Sequence, residues 1–155
     1  MKMVIYGIGK FESYENPNYQ IGLAILMQRD FKWIGDIEVF DPALSMNECQ
    51  ILKALGCSVL EFDEDGKRKS LKPTVFFMPH CPIMLYDNLL QANWKPSLLS
   101  NVVIFGNSFG KYASYASSDY NEDSKDTGLG RNRQGGGAFH CLSWHFFHPF
   151  YVGSV

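Results

Sequence analysis

The chain has 155 residues, 46% of them hydrophobic, which suits one domain with a sizeable core. Its 16 acidic and 14 basic residues leave a net charge of -2, so the positive field that gathers a polyanion is missing and direct nucleic-acid binding is disfavoured. Four widely spaced cysteines fit a reducing compartment, and no apolar run approaches the roughly 20 residues of a membrane span. We therefore expect a soluble, intracellular protein.

Three apolar runs in the first half of the chain are typical of strands buried on both faces: residues 3–6, 36–40 and 57–62. Asn16-Pro17 predicts the start of a helix between the first two runs. Ser45 and Glu48 have the spacing of a capping box, and Gly56 is placed to end that second helix in the left-handed conformation. The pattern alternates strands and helices.

Residues 63–73 carry no helical pattern, and extended they could cross from one sheet edge to a distant strand, although a hairpin excursion is equally compatible. A strand at 74–78, a helix at 85–94 and a strand at 102–105 follow, with a short helix begun by Pro96. Buried strands alternating with helices predict an α/β fold, a Rossmann-like open and mostly parallel sheet of about five strands. The right-handed crossover rule favours the order 3-2-1-4-5.

The composition changes after residue 109. Residues 110–137 are rich in Ser, Asp, Gly and Asn and are predicted to be a disordered low-complexity segment. Residues 138–155 are aromatic and could add an edge strand. Cys141, His145 and His148 are of the residue types that bind zinc, but on a strand they cannot share one face, so we expect no metal site. Residues 1–109 then form the predicted Rossmann-like domain.

The candidate ligand site lies where parallel strands end. Gly7 and Gly9 follow the first strand and suit close approach of backbone to a nucleotide, and Asp41 stands where dinucleotide- and adenosylmethionine-binding folds keep a ribose-binding acid. Asn107, after the last strand, is a polar amide beside the core that could line the same pocket. The phosphate fingerprint is incomplete, because Glu12 replaces its third glycine. These glycines could equally be tight turns.

His80 and Cys81 are the last two candidate site residues and lie between the strand at 74–78 and the helix that follows it. The helix N-terminus would lower the pKa of the thiol, which could act as a nucleophile, but no acidic partner can be assigned. Cys81-Pro82 also resembles the short element of haem-responsive proteins, in which the thiolate is an axial ligand. The alternative is a buried strand-to-helix turn.

A series of short motifs runs in fixed order through the first two thirds of the chain. They are YGIGKF at 6–11, FDP at 40–42, LGCSVL at 55–60, GKR at 66–68, FMPHC at 77–81, LYDNLL at 85–90, NW at 93–94 and VIFGNSF at 103–109. Their order and spacing resemble the "sensitivity to red light reduced" family, most closely its plant branch, over about residues 3–109. The last third departs from the family: Cys141 stands where an Asp is expected. A splice variant or an altered gene model would explain this.

The resemblance implies a regulator of the circadian clock and of phytochrome B red-light signalling, affecting flowering time. It also implies regulatory protein partners and a location in nucleus and cytoplasm. Animal relatives are linked to haem metabolism and clock-gene expression. No established reaction comes with the family, so no catalytic residue is assigned. The rival hypotheses are a nucleotide- or adenosylmethionine-binding transferase that uses Gly7, Gly9, Asp41 and Asn107, and a haem sensor that uses Cys81.

Overall fold

The computed structural model describes residues 1–12, 15–110 and 112. Its centre is a parallel sheet with the strand order β3-β2-β1-β4-β5, as predicted. The strands are β1 (Lys2–Tyr6), β2 (Ile37–Phe40), β3 (Ser58–Val59), β4 (Thr74–Met78) and β5 (Val102–Gly106). Strand β3 is shorter than the apolar run predicted. Its pairing with β2 continues only to the bond from the Leu60 N–H to the Val39 carbonyl, after which the chain turns away.

Four helices connect the strands: α1 (Glu15–Asp30), α2 (Met46–Ala54), α3 (Ile83–Ala92) and α4 (Pro96–Leu99). Both predicted caps of α2 are confirmed. Ser45 and Glu48 form the capping box, and Gly56 has a φ of +85°. The N–H groups of Gly56 and Cys57 bond to the carbonyls of Lys53 and Leu52, which satisfies the last turn. In the described part of the chain, the helices are too short or too polar to cross a membrane.

Alternation along the central strands sends side chains to two faces of the sheet. Met3 and Ile5 belong to a buried cluster with Ile21 and Ala24 of α1 and Leu52 of α2. Val4 and Tyr6, which point the other way, are also buried. The neighbouring residue of β4 on that second face, Phe76, stacks with the Tyr6 ring at 6.4 Å. Helices α1 and α2 therefore cover one face of β1, and other parts of the chain must cover the second.

The connection from β3 to β4 helps to cover this second face without forming a helix. It crosses from the β3 edge past β2 and β1 to β4, which is the first of the two routes predicted for residues 63–73. The amide side chains of the buried Asn93 and the half-buried Asn101 hold it in place. The Asn93 side chain accepts a bond from the Ser70 N–H at 2.7 Å and donates to the Arg68 carbonyl at 2.7 Å. The Asn101 side chain donates to the Ser70 carbonyl at 3.0 Å. We call residues 60–73 the crossing segment.

Residues Met1–Asn107 form a compact unit, and Ser108 begins another. The predicted disordered segment 110–137 and aromatic segment 138–155 lie outside the described residues, except for Gly110 and Tyr112. The same holds for Cys141, His145 and His148. The domain division, the edge strand and the absence of zinc in that part of the chain therefore stay predictions.

Candidate functional site

Because all paired strands are parallel, their carboxyl ends meet at one edge of the sheet. Gly7 and Gly9 follow β1, Asp41 follows β2, Cys81 lies just after β4 and Asn107 follows β5. Gly7 contacts Cys81, and Gly9 bonds to Asp41. The structure thus brings together four of the predicted site residues.

The Asp41 carboxylate is committed to backbone groups. One oxygen accepts a hydrogen bond from the Gly9 N–H at 2.8 Å, and the other accepts from the Ala43 N–H at 2.7 Å. The first bond ties the loop after β1 to the end of β2. The second forms a local turn after β2. Asp41 therefore shapes the two loops between which a ribose would have to bind.

A second carboxylate, which sequence reasoning identified only as a helix cap, holds the rest of the loop after β1. Glu48 is fully buried, and one of its oxygens accepts bonds from the Phe11 N–H at 2.6 Å and the Glu12 N–H at 2.9 Å. Its other oxygen accepts from the Ser45 N–H at 2.7 Å. Burial alone would raise the pKa of Glu48, but these backbone donors outweigh it and lower the pKa below its usual range.

Together the two carboxylates take up the donors that a nucleotide phosphate would need. In a phosphate cradle, the N–H groups of the loop after the first strand point at the ligand. Here those of Gly9, Phe11 and Glu12 point at protein carboxylates. A phosphate at this loop would also meet the negative charges of Asp41 and Glu48. The loop as described does not fit the phosphates of a nucleotide cofactor.

Cys81 is held inside the same corner of the sheet. Its side chain is 2% exposed, and its thiol donates a hydrogen bond to the Tyr6 carbonyl at 3.2 Å. Gly7 has a φ of +67°, and a Cβ there would lie 2.8 Å from the Cys81 sulfur, so only glycine fits. Burial, together with the charge of Asp41, raises the pKa of Cys81 to about 12.

This raised pKa is opposite to the direction expected from the helix N-terminus, because removal from water outweighs the helix dipole. A thiol that is protonated and covered does not suit a nucleophile or an axial ligand, both of which require the thiolate. The sulfur is also covered, because Cys81 is buried and packs against Gly7. The buried, protonated Cys81 does not fit an axial ligand of haem.

Cys81 should accordingly resist alkylation. At about pH 8 we expect iodoacetamide to modify the half-buried Cys49 well before Cys81, because Cys81 is buried and its pKa is raised to about 12. Peptide mapping by mass spectrometry at successive times measures each site separately. Cys57, which is buried and has a raised pKa, should also react slowly. Early modification of Cys81 in the folded protein would contradict the burial described.

His80 lies apart from these contacts, and the backbone of Asn107 bonds to Tyr86. His80 is exposed, and within the part of the chain that the structure describes its side chain makes no hydrogen bond. The Asn107 N–H donates to the Tyr86 hydroxyl at 3.1 Å, and that hydroxyl donates to the Met78 carbonyl. A Cβ at Gly106 would collide with this hydroxyl, so only glycine fits there. The motif that contains Gly106 and Asn107 thus closes the ends of β4 and β5 around Tyr86.

A network of charges, also missed from the sequence, joins the crossing segment to the second face of the sheet. Arg68 bonds to Glu64 at 2.8 Å and to Glu38, Lys2 bonds to Glu38, and the Tyr6 hydroxyl donates to Glu64 at 2.5 Å. Burial favours the neutral form of Arg68, but Glu64 and Glu38 outweigh it and raise its pKa. Burial and Glu64 raise the pKa of Tyr6. The network fixes where the crossing segment lies.

The residues described hold no cluster of three or more His, Cys, Asp or Glu side chains that could bind a metal ion.

The family of the chain follows from its similarity to known proteins. Residues 1–146 match the SRR1 domain. The chain belongs to the SRR1 domain family. This match extends past residue 109, where the motifs quoted above end.

Three relatives show how widely the family occurs. The chain is 48% identical, over 95% of its length, to "Protein SENSITIVITY TO RED LIGHT REDUCED 1" of Arabidopsis thaliana, of which it covers 58%. It is 41% identical over 70% of its length to the "SRR1-like protein" of Mus musculus and 32% identical over 70% to that of Drosophila melanogaster, covering 45% and 39% of them. The chain spans about half the length of these curated relatives. No solved structure is significantly similar to the chain.

Proposed function

We propose that this chain is a regulator of light signalling that acts in the red-light response. The observation that carries the proposal is its 48% identity, over 95% of the chain, to an Arabidopsis protein whose name states reduced sensitivity to red light. The finer parts of the proposal are action on phytochrome B signalling, the circadian clock and flowering time, in the nucleus and the cytoplasm.

We further propose that it acts by binding regulatory protein partners. The site geometry supports this mode of action, because the loop after β1 is held by Asp41 and Glu48 of the chain itself and Cys81 is a covered, protonated thiol. Neither Asp41 nor Cys81 is therefore positioned as an activated nucleophile. The site therefore favours a folded scaffold over a reaction centre.

A small ligand at the strand ends is a second candidate. Asp41 supports it, because each carboxylate oxygen accepts only one backbone hydrogen bond and retains a lone pair for a ribose hydroxyl. An adenosine-containing ligand without phosphates, such as adenosylmethionine, fits this better than a nucleotide. If it binds, adenosylmethionine at about millimolar concentration should raise the melting temperature. Asp41→Asn should abolish that rise; no rise in the wild-type chain would remove the candidate.

Expression of the chain in Arabidopsis seedlings that lack their own family member tests the main proposal. We expect it to restore the seedling growth response to red light and to leave growth in darkness unchanged. A Cys81→Ser variant should restore the response equally, because serine can keep the hydrogen bond to the Tyr6 carbonyl but cannot supply a thiolate. The period of a clock reporter in the same plants tests the circadian part.

Two results would contradict the proposal. Accumulation of the folded chain without any recovery of the red-light response would exclude the regulatory role. Recovery that is lost in Cys81→Ser, at equal protein level and melting temperature, would show that thiol chemistry is required and that binding of partners is not sufficient.

A further inference from the structure

An open groove of about 700 Å³ lies at the amino ends of β1 and β4, away from the strand-end loops described above. Four of its lining residues are Lys or Arg and one is Glu. The chain as a whole has a net charge of -2. The groove is therefore a local positive surface on a protein that is slightly negative, and we call it the basic groove.

Two of the four cations are already neutralised. Arg68 bonds to Glu38 and Glu64, and Lys2 bonds to Glu38. Lys69 and Lys72 are exposed, and within residues 1–12 and 15–110 neither side chain has an ion-pair partner. The charge available to a partner in the basic groove therefore comes from Lys69 and Lys72.

The side chain between these lysines is largely left out of the core. Leu71 is 78% exposed, although it follows Ser70, which is 2% exposed. The backbone beneath it is fixed, since Asn93 and Asn101 hold the N–H and carbonyl of Ser70. On the other side, the Thr74 N–H bonds to the Asn101 carbonyl at 2.8 Å. An apolar side chain flanked by two unpaired lysines is thus displayed on a backbone that is already ordered, which lowers the entropy lost on binding.

We propose that the basic groove binds an acidic peptide segment of a protein partner, in which carboxylates meet Lys69 and Lys72 and an apolar side chain packs on Leu71. This inference rests on the proposed action through protein partners and specifies the chemistry of one of them. Charge complementarity selects a polyanion. The exposed leucine favours a peptide over a nucleic acid, because a phosphate backbone offers it no apolar contact, and two free lysines are few for a duplex.

The test measures binding of a fluorescein-labelled peptide, in which pairs of Glu alternate with Leu, to the full chain by fluorescence anisotropy. We expect the double variant Lys69→Glu/Lys72→Glu to bind about tenfold more weakly or worse, because two attractions become repulsions. Leu71→Ser should weaken binding severalfold. The matched control Lys53→Glu/Lys95→Glu changes the net charge equally at two other exposed lysines and should stay within about twofold of wild type.

A peptide with Gln in place of Glu should bind much more weakly, and about 0.5 M salt should weaken binding of the Glu peptide. Several results would overturn the inference: no binding of the Glu peptide, equal losses in both double variants, or tighter binding of single-stranded RNA or anionic vesicles through the same lysines. All variants should keep the wild-type melting temperature, since their side chains are exposed. Recovery of the red-light response without peptide binding would support the proposed function and contradict only the proposed role of the basic groove.

Discussion

Replacing Glu48 with Ala should lower the free energy of unfolding by about 3 kcal/mol, because a buried carboxylate that accepts several backbone hydrogen bonds contributes about 1.5–3 kcal/mol per charged bond before compensation. The variant leaves the N–H groups of Phe11 and Ser45 without their acceptor and empties buried volume. Urea unfolding followed by circular dichroism measures the change.

Glu61→Ala is the matched control, since Glu61 is exposed and within the described chain makes no ion pair. It should change the free energy of unfolding by less than about 0.5 kcal/mol. Equal effects of the two substitutions would contradict the role assigned to Glu48 in holding the loop after β1.

The contribution of Glu48 should also depend on pH. Because folding lowers its pKa, the stabilisation is fully present above the unfolded value of about 4.3 and is lost as the pH falls through the folded value. The difference in stability between the wild type and Glu48→Gln should therefore be largest near neutral pH and shrink in acid. A difference that stayed constant down to about pH 3 would contradict this linkage.

Gly66→Ala should destabilise the chain by about 3 kcal/mol, because it combines left-handed backbone strain of about 1–2 kcal/mol with a steric conflict. Gly66 has a φ of +70°, and a Cβ there would lie 2.8 Å from the Leu85 carbonyl oxygen. That oxygen belongs to the backbone of α3, so it cannot move aside at low cost. Thermal unfolding of the purified variant measures the loss.

Substitutions at two other glycines separate the effect of backbone strain from that of the steric conflict. Gly56 has a φ of +85°, and a Cβ there would have no neighbouring atom within 4 Å, so Gly56→Ala should cost only the strain of about 1 kcal/mol. Gly22 lies inside α1 in open space, so Gly22→Ala should stabilise the chain by about 0.5–1 kcal/mol. An unchanged melting temperature in Gly66→Ala would contradict the close packing of the crossing segment on α3.

The architecture could be predicted because its signals are local. Apolar runs of strand length, the Ser45–Glu48 spacing and the position of Gly56 each specify a piece of backbone, and the handedness of parallel crossovers fixes the order of the strands. The sequence predicts too long a strand β3, because the apolar run continues past the point where the pairing with β2 ends. Periodicity records burial, whereas strand length depends on the neighbouring strand.

The candidate site was harder to predict because its chemistry depends on distant partners. The sequence places Gly9 and Asp41 at strand ends but does not show that they bond to each other. The link from Glu48 to Phe11 spans 37 positions, and only the capping-box spacing identified Glu48. For Cys81, the helix N-terminus predicted a lowered pKa, but burial dominates, and burial is set by the packing of Gly7 against the sulfur. Such competition between effects is decided by tertiary structure.

Native mass spectrometry of the chain purified from its own cells tests most directly whether the strand-end loops are closed by the protein itself. We expect the mass of the native monomer to equal that of the denatured chain, and any additional mass to belong to protein partners. A small molecule retained in the native state and released on denaturation would contradict this, above all if Asp41→Asn or Cys81→Ser abolished its retention.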